Sequence, residues 1–280
     1  MGSNKKDSLG DRMKNYEGVP KTRLTRRTPV IIRIDGKAFH TFTRGFNKPF
    51  DKVLSNAMVR TMEHLCRNIQ GCVFGYTQSD EITLVLVDYR TLNTCAWFDY
   101  EVQKMCSISA SMATAAFKDF FLDEVKILNG DLWVDKNGTL GKYGMDTVTM
   151  PKVLAKYEER IGMHAMFDSR CFNIPKEEVA NCLVWRQQDA TRNSIEMVGR
   201  AHFSDKELFK KNCSDIQDML MEHFGINWND TETRFKRGVC CYKRPVEGKE
   251  NGRNEWFVDF EIPIFTQDRD YIEKHIIINQ

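Results

Sequence analysis

The order in which the hydrophobic periodicities change along the chain is its strongest constraint. Residues 29–34 (PVIIRI) form a β-branched run that stops at Asp35-Gly36, the pattern of a buried strand ending in a turn. Asp51 is placed to cap a helix running to about residue 69. Its apolar positions Leu54, Ala57, Met58, Met62, Leu65 and Ile69 keep helical spacing, and Gly71 ends it. Residues 72–77 and 82–87 are two β-rich runs joined by Gln78-Ser79-Asp80-Glu81, a hairpin with an acidic tip. A long helix is predicted over about 94–122, with Phe98, Val102, Met105, Met112, Ala116 and Phe120 on one stripe. Residues 165–174 return to strand. Strand, helix, strand, strand, helix, strand is the split βαβ order, which predicts an α+β, ferredoxin-like antiparallel sheet with helices packed on one face.

Handedness rules leave few arrangements of such a sheet. Strands one and three lie side by side at its centre, so the end of strand one and the turn between strands two and three share an edge. Asp35 and Asp80-Glu81 are therefore predicted to converge although 45 residues separate the two aspartates. Neighbouring carboxylates repel and need water, a proton or a cation between them. Mg²⁺ suits such a site, because it keeps several waters and binds through one or two carboxylates plus substrate phosphates. Two such ions can clamp the attacking and leaving oxygens of a phosphoryl displacement. Gly36 permits close approach, and Lys37 and Lys48 are nearby cations for developing charge. Each motif alone also fits an ordinary turn. The chain has no G-x-x-x-x-G-K-[ST], G-x-G-x-x-G or H-E-x-x-H.

The rest of the chain is organised around this unit. Residues 1–28 form a basic arm with eight Lys/Arg against three Asp/Glu, and Arg26 and Arg27 are its candidates for RNA contact. A catalytic domain is placed at 29–200, with an insertion at about 123–162 and a further helix over 176–198. Residues 201–280 are predicted to be a C-terminal α/β extension that binds RNA or joins subunits, with helices in 204–224 and strands near 237–243 and 256–264. Within it, 231–254 carries seven Lys/Arg against three Asp/Glu, and Phe235 and Tyr242 interleave with Arg234, Lys236 and Arg237. Aromatics among cations suit RNA, by stacking plus phosphate contact, and equally describe a solvated basic hairpin.

An apolar share of 41% and a charged share of 29% allow a buried core and exclude wholesale disorder or a coiled-coil rod. A net charge of +2 excludes a polycation but not a local basic surface. The nine cysteines are scattered with no C-x-x-C pair, which argues for buried thiols in a reducing compartment rather than a zinc site or disulfide framework. No run of 18 apolar residues predicts a membrane span, and no apolar core follows the first lysines. The expectation is a soluble cytoplasmic protein with no membrane partner.

RIDGKAFHTFTRGFNKP (33–49), YTQSDE (76–81) and WRQQD (185–189) resemble the tRNA(His) guanylyltransferase family of 3′–5′ polymerases over roughly residues 12–245. The resemblance implies a polymerase palm, two Mg²⁺ held by Asp35, the Gly36 carbonyl and Asp80, and ATP or GTP as substrate. It implies a triphosphate wrapped by the backbone of Lys37, Ala38, Phe39 and His40, with Lys48 on its phosphates. Ser79 and Glu81 would flank the metal ligand, Glu81 counting among the catalytic residues, and Lys104 would line a second nucleotide site. It also implies tRNA as partner and a homotetramer. Eukaryotic members that act on tRNA(His) carry a His-Ile-Asn-Asn-Leu-Tyr-Asn run after WRQQD. Here residues 191–197 read TRNSIEM, and of that run Asn193 clearly survives. The chain is thus similar to the branch that adds missing 5′ nucleotides to truncated tRNA. A strict tRNA(His) guanylyltransferase, a nucleotide cyclase on the same palm and a catalytically silent RNA binder remain alternatives.

Overall fold

The computed structural model describes residues 8–130, 132–134, 140–142, 153–246 and 254–276. Parts of the arm, the insertion and the basic 231–254 segment lie outside the described residues. In chain order come α1 (Leu9–Gly18), β1 (Val30–Gly36), α2 (Phe39–Phe42), α3 (Lys52–Asn68), β2 (Cys72–Gln78), β3 (Glu81–Leu86) and α4 (Val102–Leu128). Then follow the short β4 (Leu132–Val134) and β5 (Leu140–Lys142), α5 (Leu154–Ile161), β6 (Phe167–Asn173), α6 (Lys176–His202), α7 (Asp205–Leu208) and α8 (Cys213–Phe224). The chain closes with α9 (Thr233–Arg237), β7 (Val239–Pro245), β8 (Asn254–Asp259) and α10 (Asp270–Glu273).

Six strands form one sheet in the order β6-β1-β3-β2-β7-β8, and every described pairing is antiparallel. β1 and β3 are central, as the strand order predicts. Alternation sends successive β1 side chains to opposite faces. Val30, Ile32 and Ile34 pack with Ile82, Leu84 and Leu86 against α3 and α4. Ile31, Val85 and Val87 pack on the other face with Val179 and Leu183 of α6 and with Ile262, Phe265 and Ile272 of the C-terminal segment. The two helices of the split βαβ unit thus share one face, and α6 with the chain's end covers the second. β7 pairs directly with β2, so the C-terminal region continues the same sheet.

Asp51 caps α3 by accepting the Leu54 N–H at 2.9 Å, and Ala57, Met58, Met62 and Leu65 are buried as their spacing predicts. Gly71 follows with φ 82°, a conformation costly for any other residue, and an added Cβ would meet the Val87 carbonyl at 3.0 Å. The second long helix starts later than predicted, at Val102. Phe98, Asp99 and Tyr100 all have positive φ (49°, 51° and 56°), a conformation that no right-handed helix contains.

Candidate active site

Asp35 lies at the end of β1, where its ladder partners are Glu81 on β3 and Asp168 on β6. Three carboxylate residues therefore form a row across the sheet, on the α6 side. Asp80 lies in the β2–β3 turn. Its carbonyl accepts the Gly36 N–H at 3.1 Å, which locks the turn against the end of β1. The predicted convergence of Asp35 and Asp80 is present in the structure. Asp168 had no local signal in the sequence; only the β1–β6 register brings it to Asp35.

Burial first, and the charge of Asp168 second, raise the Asp35 carboxyl above the ordinary carboxylate range. Burial first, and Asp35 second, do the same to Asp80. The nearby arginines are engaged elsewhere: Arg170 pairs with Asp168, and Arg186 with Glu81. Two carboxyls in mutual repulsion, with hard oxygens and, among the described residues, no guanidinium paired with either, could hold a divalent cation. Among the described residues no group of three or more His, Cys, Asp or Glu could hold a metal by itself. Asp35, Asp80 and the Gly36 carbonyl could supply part of a coordination shell, as for Mg²⁺, which takes its remaining ligands from waters and substrate phosphates.

Glu81 behaves differently from its sequence neighbour. It is buried, and its Oε1 accepts Arg186 Nε at 2.7 Å. Burial still leaves its carboxyl above the ordinary range despite that partner. Its Oε1 is engaged by α6, and its Oε2 lies 4.0 Å from Arg33 Nε on β1.

Beside Asp80 opens a cleft of about 450 Å³. Its wall includes Gly36, Ala38, Phe39, His40, Lys48, Ser79 and Asp80, all anticipated from the sequence, together with Asn47, Asp51, Leu54 and Met197, which were not. Gly36 is needed there because an added Cβ would fall 2.3 Å from the Phe39 ring tucked beneath the turn. Ala38 (φ 54°) and Ser79 (φ 50°) both hold left-handed conformations on either side of the carboxylate pair. Such strain is stored where a binding geometry requires it. Ala38 starts the α2 turn and its carbonyl takes the Thr41 and Phe42 N–H groups. The Lys37 N–H donates to the Met166 carbonyl at 2.8 Å, so Lys37 supplies no free backbone donor. The Lys37 side chain is exposed, and neither it nor Asp35 forms part of the cleft wall.

A second, narrower cavity of about 80 Å³ adjoins the cleft and shares Asp51, Leu54, Ser79 and Met197 with it. Asn193 and Arg234 reach this cavity, between the stacked rings of Phe50 and Phe235 and the thioether of Met197. Other sequence candidates are placed elsewhere. Lys104 sits over the Phe98 ring, ten residues before Thr114, whose hydroxyl meets Phe167 opposite Gly36. That is about 15 Å along α4 from the level of the site. Arg26 and Arg27 are tied to buried Asp88, through Arg26 Nε at 2.7 Å and the Arg27 N–H at 2.9 Å. Lys236 donates to the Asn229 carbonyl, and burial lowers its ammonium below the usual lysine range. The Arg237 carbonyl accepts the Tyr76 hydroxyl at 2.8 Å. The side chains of Arg26, Arg27 and Lys236 thus bond within the chain, whereas Arg237 does so through its backbone carbonyl.

The model of the tRNAHis guanylyltransferase family matches residues 10–175. A probable tRNA(His) guanylyltransferase of Dictyostelium discoideum is 24% identical over 249 residues, covering 82% of this chain and 81% of its own. A bacterial tRNA(His) guanylyltransferase-like protein solved in complex with ATP is 40% identical, with a TM-score of 0.79 over 97% of this chain and all of the other. A GTP complex of such a protein is 38% identical, with a TM-score of 0.74 over 96% and 99%.

Proposed function

The chain belongs to the tRNAHis guanylyltransferase family, and from that premise we propose that it is a template-dependent 3′–5′ nucleotidyltransferase completing the 5′ end of truncated tRNA. The carrying observation is the Asp35–Asp80 pair, whose turn and strand end are locked by the Gly36 N–H, with Gly36 and Asp80 lining a cleft of nucleotide size. The similarity to proteins solved with ATP and GTP supports a nucleoside triphosphate as its occupant. A departure favours the repair branch. The run after WRQQD ends in Met197, and its thioether lines the cleft where a polar amide would stand in enzymes acting on tRNA(His).

In this reading Lys48 holds the triphosphate, and the turn from Ala38 to His40 gives it a tight-fitting bed. Asp35, Asp80 and the Gly36 carbonyl would hold the Mg²⁺ ions. When bound, these ions lower the pKa of the attacking 3′-hydroxyl and neutralise the leaving group. ATP first adenylylates the tRNA 5′ phosphate with release of pyrophosphate, and the 3′-hydroxyl of the incoming nucleotide then attacks that phosphate, forming the phosphodiester and displacing AMP. Asp35 and Asp80 fix the line of attack, and the opposite RNA strand selects the nucleotide. A homotetramer and a cytoplasmic location belong to the same proposal. The nine free thiols agree with a reducing compartment, and among the described residues no helix is long and apolar enough to cross a membrane.

The test is an extension assay on a 5′-monophosphorylated tRNA lacking its first nucleotide, with Mg²⁺, ATP and each triphosphate in turn. Addition of the complementary nucleotide alone is expected. Guanylate added only to a full-length tRNA(His) run alongside would overturn the repair assignment, and tRNA binding without any addition would overturn the enzyme.

A further inference from the structure

Arg186 stands inside the WRQQD motif on α6, with its side chain only 8% exposed. Its guanidinium is used twice. Nε donates to Glu81 Oε1 at 2.7 Å, and a terminal nitrogen donates to Asp189 Oδ2 at 2.7 Å. Asp189 also receives Arg192 at 2.5 Å and the Asn193 amide at 3.3 Å. Glu81 follows Asp80 directly and faces Asp35 in the β1–β3 ladder. One rigid fork therefore ties the start of β3, which follows Asp80 in the chain and is the ladder partner of Asp35, to the helix whose Asn193 and Met197 line the two cavities. A guanidinium holds its donors in a fixed plane, which makes it better at setting spacing than a lysine.

We propose that Arg186 is a positioning residue. By gripping Glu81 it holds Asp35 and Asp80 at the separation a divalent cation requires, and Glu81 is its handle rather than a metal ligand. The inference rests on the metal–nucleotide reading above and deepens it. Two other roles give opposite signs. Were Arg186 a positive charge competing with the cation, its removal would tighten metal binding. Were Glu81 a ligand in its own right, its loss and the loss of Arg186 would act independently.

The test is ATP affinity of the full-length protein as a function of Mg²⁺, in wild type, Glu81→Gln, Arg186→Gln, the double variant and Arg186→Lys. Without Mg²⁺ all five are expected to bind ATP alike. The Mg²⁺ concentration for half-maximal effect is expected to rise roughly 10–100-fold in each Gln variant, the range typical of residues that orient ligands. The double variant should lose no more than either single, and Arg186→Lys should recover part of the loss. A lowered Mg²⁺ requirement in Arg186→Gln, losses that multiply in the double variant, or no change would each overturn the proposal. Circular dichroism checks folding. Should Arg186→Gln not fold, Glu81→Gln alone and combined with Arg186→Lys carry the same comparison. A wild type that binds ATP with the expected Mg²⁺ dependence yet adds nothing to tRNA would sink the proposed function and leave Arg186 in its role. A wild type indifferent to Mg²⁺ would sink both.

Discussion

Asp80 shows how a ligand-binding residue can cost the fold that carries it. Its carboxyl is raised by burial and then by Asp35. An acid whose folded pKa lies above its unfolded value binds protons more readily when folded, so its ionisation costs stability at neutral pH, and the cost vanishes as pH falls below the carboxylate range. Asp80→Asn is therefore expected to raise the Tm of metal-free protein at pH 7 by a few degrees, since ~1 kcal/mol is worth roughly 2–4 °C in a chain of this size. Calorimetry should show that advantage shrinking toward pH 4, and the extension assay should show no product. A variant melting below wild type at pH 7 would contradict the electrostatic picture. Arg26 is the opposite case, a cation the sequence offers to RNA and the structure spends on Asp88. Arg26→Ala is expected to cost about 1–2 kcal/mol in a denaturant melt, the pair being half exposed on the arginine side. The salt dependence of tRNA binding should stay as it is. A slope reduced by about one would instead mark Arg26 as a phosphate contact.

At the scale of elements, the start of α3 matters most, because it shapes the cleft. Asp51 accepts the Leu54 N–H at 2.9 Å, the Asn47 N–H at 3.0 Å and the Tyr157 hydroxyl of α5 at 2.5 Å. One carboxylate thus caps the helix, closes the 47–51 loop that presents Lys48, and anchors an element 106 residues away. Asp51→Ala removes a cap worth about 1 kcal/mol and strands a buried phenol for about 1–3 kcal/mol more. The expected loss is about 3 kcal/mol, with a raised KM for ATP as the loop loosens; an unchanged KM would separate the cap from the cleft. The cap was readable from Asp51 and the apolar spacing behind it, because both are local. The Tyr157 bond was not, nor was the Arg186–Glu81 pair, because polar partners more than a hundred residues apart leave no periodic trace. Strand order sufficed to bring Asp35 to Asp80, but the row extending to Asp168 needed the register itself. The later start of α4 has a local reason: Phe98 fits the helical stripe, while the backbone at Phe98, Asp99 and Tyr100 is turned left-handed.

For the whole molecule, the question is whether the strand–helix unit could stand without the chain beyond it. Its sheet has two apolar faces, and α3 and α4 cover only one. The other is closed by α6 and by residues 262–276, which are fastened through Gln187 of the WRQQD motif. Gln187 donates to the Pro263 carbonyl at 2.9 Å and accepts the Phe265 N–H at 2.8 Å. Phe265 is fully buried against the ring of Tyr76, at a centroid distance of 5.8 Å. Tyr76 sits on β2, the strand that runs into the Asp80 turn. An uncovered face of this kind would leave the β2–β3 hairpin without half its packing, so the C-terminal segment and the active-site turn should melt together. Phe265→Ala is expected to cost about 3–5 kcal/mol, the usual range for a buried phenylalanine. The transition should stay single, coincident by tryptophan fluorescence and far-UV dichroism, with ATP-binding capacity lost along the same curve. Two separated transitions, with ATP binding surviving the first, would show instead that residues 201–280 fold as an independent appendage. Continuous pairing of β7 with β2 argues for the single transition, because parting that ladder would strip one edge of the strand that leads into the Asp80 turn.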